Sequence, residues 1–292
     1  MKQPAFSLRR VGAIAANTFT ELTRLRVFYV LLLFALVLIA SSIFMARLTF
    51  QQEFQVLKDI SLGAITIFTS ILAIAATARL LPHDVEDRTV YTILAKPVPR
   101  FEYVTGKLLG VLLLLLVTTA VMAALFFAVL YVREQSALAE TARQMAGAPP
   151  DQLADAVRGV REAAFNGPLL AAVAMIFLKA AVLASLTLFI STFASSTVFS
   201  IVVSVFVYVI GHLQGTAREF WLQEQGAGWL TRVFLAFVAL VFPDLHLFDF
   251  SDQVVAGAAI PTALFVQSST LGFFYILIYL LLAVAVFTGK EL

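Results

Sequence analysis

Cysteine is absent from the 292 residues. That excludes disulfides, thiolate metal centres and a cysteine nucleophile. Charge is scarce as well: Lys, Arg, Asp and Glu make up 13% of the chain, about half the share of a soluble domain. What charge there is nearly cancels, at a formal +2, so nothing draws the chain to nucleic acid. Histidine occurs only at 83, 212 and 246, without the spacing of a metal signature. The first 25 residues are amphipathic and no small-residue cleavage site follows the first apolar run, unlike a secretory signal.

What is present is apolar. Hydrophobic residues reach 61% and the mean hydropathy is +0.95. About 20 apolar residues carry a helix across a ~30 Å hydrocarbon core. Six runs qualify, at about 27–46, 60–81, 108–132, 169–190, 197–213 and 268–288. They are continuous rather than alternating, so they predict helices and not barrel strands. The fourth and fifth are parted by the polar turn Ser191–Thr197 and form a helical hairpin. The expected fold is an all-α polytopic membrane protein, a single unit over 1–292.

Lysine and arginine in short flanking segments set orientation. Lys2, Arg9, Arg10, Arg24 and Arg26 precede the first run, and Arg79, Arg88, Lys96, Arg100 and Lys107 surround the loop after the second. With Lys290 they share one side, facing six acids; the other side carries eight basic residues against twelve acids. Both termini are therefore expected in the cytoplasm. Val233–Phe242 is apolar over only ten residues before Pro243, which suits a re-entrant or interfacial helix within an extracytoplasmic region at 214–267. Were it a span, the C-terminus would move to the outside.

Three polar regions stand out. Residues 1–26 place Leu8, Val11, Ala15, Phe19 and Leu22 on one stripe, with Arg9, Arg10, Glu21 and Arg24 off it. This predicts an interfacial helix on anionic lipid, which serves equally as a topogenic anchor. Residues 133–167 predict an extracytoplasmic helical loop, split at Ala148-Pro149-Pro150, with Asp151 capping its second helix. It is a solvated lid or a contact for an extracytoplasmic partner. Residues 82–107 form a short charged loop wedged between two spans, where a soluble partner can reach it.

Candidate chemistry is thin. Thr105-Gly106-Lys107 resembles the end of a phosphate loop, but Phe101 stands where its first glycine belongs and Leu108 replaces the hydroxyl. No nucleotide or other cofactor is expected on this chain. Asp244, His246, Asp249 and Asp252 gather donor types for a metal, yet such residues are also ordinary breakers between helices. Paired intramembrane carboxylates are missing, against an aspartyl protease or a proton-relay carrier. Lys179 lies midway through the fourth run. A charge there costs roughly 2.5–3.5 kcal/mol and must find a cavity, an interface or a partner. It is either a contact for an anionic substrate in a translocation cavity or a packing residue bonded to a buried acceptor.

The stretch Asp84-Val85-Glu86-Asp87-Arg88-Thr89-Val90-Tyr91-Thr92-Ile93-Leu94-Ala95-Lys96-Pro97-Val98-Pro99-Arg100, followed by Gly106-Lys107, resembles the permease subunits of type-2 ABC exporters. Pro243–Phe248, Asp252–Val255 and the C-terminal Gly289-Lys290-Glu291-Leu292 resemble the branch linked to multicopper-enzyme maturation. Lys179 matches no motif of that family. The resemblance implies a six-helix permease that pairs with a second copy and receives a separate cytoplasmic ATPase subunit, where ATP and magnesium bind. It implies a non-catalytic chain in the bacterial inner membrane. The helix around Asp84–Leu94 would be the coupling helix, with Val85, Tyr91, Ile93 and Leu94 as apolar anchors. Asp84, Glu86, Asp87 and Arg88 would supply polar contacts at its rim, Pro97 and Pro99 would end the helix and stiffen the return, and Thr89 and Arg100 would belong to the same interface. The competing reading is a scaffold that uses the same ATPase to transmit force to an extracytoplasmic partner without moving a molecule.

Overall fold

The computed structural model describes residues 6–47, 52–86, 98–223 and 242–289, with positions 229 and 233. Among them there is helix and no strand. The chain is an all-α polytopic membrane protein, with six helices among the described residues long and apolar enough to cross a membrane. An apolar environment leaves backbone groups no partner but the backbone itself, which is why these runs fold as helices.

The order is α1 (Leu8–Thr23), α2 (Arg26–Arg47), α3 (Glu53–Ala78), α4 (Leu80–Glu86), α5 (Arg100–Gln144), α6 (Pro150–Ala164), α7 (Pro168–Phe193), α8 (Thr197–Gln223), a 3₁₀ turn (Leu245–Phe248), α9 (Ser251–Val255) and α10 (Thr262–Gly289). The six expected runs fall on α2, α3, α5, α7, α8 and α10. Most of Val233–Phe242, expected to re-enter, lies outside the described residues.

Boundaries differ where a helix continues past its apolar core. α5 begins at Arg100, so residues 100–107 are helix rather than loop, and it runs unbroken to Gln144. At 1.5 Å per residue its 45 residues extend about 67 Å, twice the hydrocarbon thickness. The first half of the expected helical lid is thus the end of a span. Asp151 sits inside the first turn of α6 and Pro149 takes the cap position, so the expected Asp151 cap is corrected. Pro150 fits the first helical position because its missing N–H would have no partner there.

α7 is the hub. Lys179 is its one charged residue, and most of its length is buried, whereas most of α2 and α10 is not. A helix with no polar side belongs inside a bundle. It packs against α3, α5, α8 and α10. Leu183, Ala184 and Leu188 join a cluster with Leu80, Tyr103, Leu108 and Phe287 at one end of the bundle. That end, here termed basal, also carries α1 and the turn between α7 and α8. The opposite, apical end is tied by Arg133, whose Nε donates to Glu53 Oε2 at 2.9 Å, and by Lys58, whose Nζ donates to Ala163 O at 2.7 Å.

α1 lies against the start of α5 in parallel register. Glu102 meets Ser7 and Arg10, Gly106 faces Val11 and Ile14, and Gly110 faces Ala15 and Thr18. A Cβ at Gly106 would stand 2.7 Å from Ile14 Cβ, and one at Gly110 would stand 2.6 Å from Thr18 Cβ. Glycines four apart let two backbones approach where lipid supplies no hydrophobic drive. Val11, Thr18 and Leu22 are buried, while Leu8 stays exposed. Part of the expected lipid-facing stripe is therefore occupied by α5.

Candidate functional site

Two polar clusters are built into the apolar bundle. The basal one joins α1, α4, α5 and α10. Asp84, near the end of α4, accepts from the Tyr103 hydroxyl and from Lys107 Nζ, the latter at 2.6 Å. Lys107 also lies 3.7 Å from Glu21 on α1. Tyr103 stacks on Phe287 of α10 with centroids 5.7 Å apart. One residue before Tyr103, Glu102 is gripped by two nitrogens of Arg10, Nη2 to Oε1 at 2.7 Å, and the Ser7 amide donates to the same oxygen at 2.8 Å. The hydrogen bond to Glu102 raises the Arg10 guanidinium above its ordinary value. Arg100 Nη1 donates to Phe287 O at 3.0 Å and Thr288 O at 2.7 Å, satisfying carbonyls that a helix end leaves open.

Of the expected ATPase contacts, Asp84 and Arg100 thus sit at the two ends of the charged loop, each fixed to the bundle. Val85 and Glu86 close α4. Asp87, Arg88, Thr89, Tyr91, Leu94 and Pro97 lie outside the described residues.

The second cluster surrounds Lys179, 1% exposed on α7. Its Nζ donates to Asp249 Oδ2 at 3.1 Å and lies 3.1 Å from His212 Nε2 on α8. His212 in turn rests against Tyr208, with ring centroids 4.7 Å apart. Asp249 belongs to the coil that follows the 3₁₀ turn, so residues 242–250 reach in between α7, α8 and α10. Gly211 makes room for this insertion, since a Cβ there would meet Pro243 O at 2.7 Å. Burial pushes the Asp249 carboxyl up, but the Lys179 ammonium and the Ser251 amide and hydroxyl outweigh it and hold it below the usual range. Asp244 accepts from the His246 amide at 3.1 Å and starts the 3₁₀ turn. The charge of Lys179 is met within the chain.

His212 reads as isolated in the sequence and Asp249 as one of a group of donors or breakers after Pro243, so their pairing with Lys179 comes only from the fold. The one available signal was Lys179 itself, since a mid-span charge demands a partner. Gly106 and Gly110 carried a clearer one, the G-x-x-x-G spacing of close helix contacts. No known family model matches the chain, and no curated protein matches it.

Proposed function

We propose that this chain is the membrane-spanning permease subunit of a type-2 ABC exporter, driven by an ATPase carried on a separate subunit. In this reading the chain is not itself an enzyme. Both termini face the cytoplasm of a bacterial inner membrane, so the basal end is the cytoplasmic one. ATP and magnesium bind the partner, a second permease copy completes the transport unit, and the substrate is unassigned.

One observation supports it above others: both ends of the loop at 84–100 are tied into several spans. Asp84 bonds Tyr103 and Lys107, and Lys107 reaches toward Glu21, while Arg100 holds the end of α10. A push on that loop is passed to α1, α5 and α10 together, which is what a coupling element requires. The Lys179 cluster adds a condition on transport. An anionic substrate that engages Lys179 must compete with Asp249 and His212 for its ammonium.

The test is purification of the intact complex from its native membrane. An ATPase subunit should co-purify, and Glu86→Arg or Tyr91→Ala should release it while the spans stay inserted. Absence of any ATPase from the wild-type complex would overturn the reading.

A further inference from the structure

We propose that the cavity between α7, α8 and α10 is a binding site for one acyl chain of a phospholipid from the basal leaflet. The site does not depend on an ATPase partner.

The cavity encloses about 550 Å³, within the range of ligand sites. α7 lines it from Leu186 to Phe193 and α10 from Phe274 to Leu282, with Val203 and Val207 of α8 opposite. Those stretches rise about 10 Å and 12 Å along their helices. One leaflet of hydrocarbon is about 15 Å deep. Phe193 is the last residue of α7, so the lower end of the cavity lies at the basal end of that helix. Phe242 also lines it, and the next residue, Pro243, meets Gly211, one turn above Val207 on α8. The cavity therefore has the height of a single leaflet and a ceiling near mid-membrane.

Its chemistry selects the occupant. No charged side chain lines it and its only polar side chains are Tyr275 and Tyr279, too few to replace the hydration of a polar solute. Water does not fill an apolar void, and an empty one forfeits dispersion contacts along its walls. Ile190, Val207 and Tyr279 form a buried back wall, whereas Phe193 and Phe274 at the rim are 50% and 56% exposed. The opening thus faces sideways, at the depth where a bilayer presents acyl chains.

The experiment uses the full chain in nanodiscs of phosphatidylcholine carrying a mid-chain photoreactive acyl group, with labelled peptides mapped by mass spectrometry. Labelling at 186–193 and 203–207 should exceed that on the exposed face of α2 around Leu33 and Phe34 several-fold. Val207→Trp, which fills the cavity, should remove the excess. Phe206→Trp, on the outward face of α8, should not. If Val207→Trp fails to fold, Ile190→Phe gives the same reading. Equal labelling of the cavity and α2, or an excess that survives the filling variant, would overturn the site. So would efficient disulfide formation between two copies through Val207→Cys, because a second copy would then occupy the space. The native chain has no cysteine, so that bond would be unambiguous.

Discussion

Lys179 and Asp249 form a buried pair whose partners come from a span and from an inserted coil. Removing one member of such a pair leaves the other uncompensated, at a cost of roughly 3–5 kcal/mol, while replacing both with apolar groups is often neutral. Lys179→Met should therefore lower the thermal midpoint of the detergent-solubilised protein, by less than the full cost because 30% of the Asp249 side chain is exposed. The double variant Lys179→Met with Asp249→Leu should recover most of the loss, and a midpoint as low as that of the single variant would show that the pair is not the origin. The same carboxyl predicts a pH dependence. Its value lies below the ordinary carboxylate range in the folded chain, so its stabilisation is complete above that range and lost as pH falls through about 4 and below. Thermal scans should show an acid limb that Asp249→Asn flattens.

Helix contacts carry a different kind of information. α1 is held to α5 by the Gly106 and Gly110 seats and by the Arg10–Glu102 pair. Gly106→Val should force the two helices apart, costing about 1–3 kcal/mol as overpacking does, and expose α1 to limited proteolysis. Unchanged protection of α1 would contradict the seat. The spans themselves were legible, because twenty apolar residues have no other use. Their ends were not. Hydropathy reports where lipid stops, while α5 continues through Arg133 to Gln144 because alanine, glutamate and arginine favour helix in water as well. The Lys179 cluster was illegible for another reason. Its partners lie 33 and 70 residues away, and nothing local in the coil marks Asp249 as the acid that turns inward.

At the scale of the whole molecule, the basal cluster joins four elements through two side chains, Tyr103 and Lys107. If the loop at 84–100 receives force from an ATPase, these residues decide how much of it reaches α1 and α10. Lys107→Met should leave the ATPase bound but reduce transport per ATP hydrolysed, measured together in proteoliposomes. Loss of ATPase binding instead would place Lys107 at the subunit contact rather than behind it. The apical ties, Arg133 to Glu53 and Lys58 to Ala163, lie outside this route, so altering them should affect stability before coupling.

The 70-residue separation between Lys179 and Asp249 also has a meaning in time. At about 5–20 residues per second of synthesis, Lys179 is made roughly 4–14 seconds before its counter-charge exists. Throughout that interval a lysine stands in the middle of a nascent span with no acid to meet it. The insertion machinery must keep α7 in a wet or sheltered place until the coil arrives. A chain halted after α8 should thus be held there or degraded, however apolar its finished helices are.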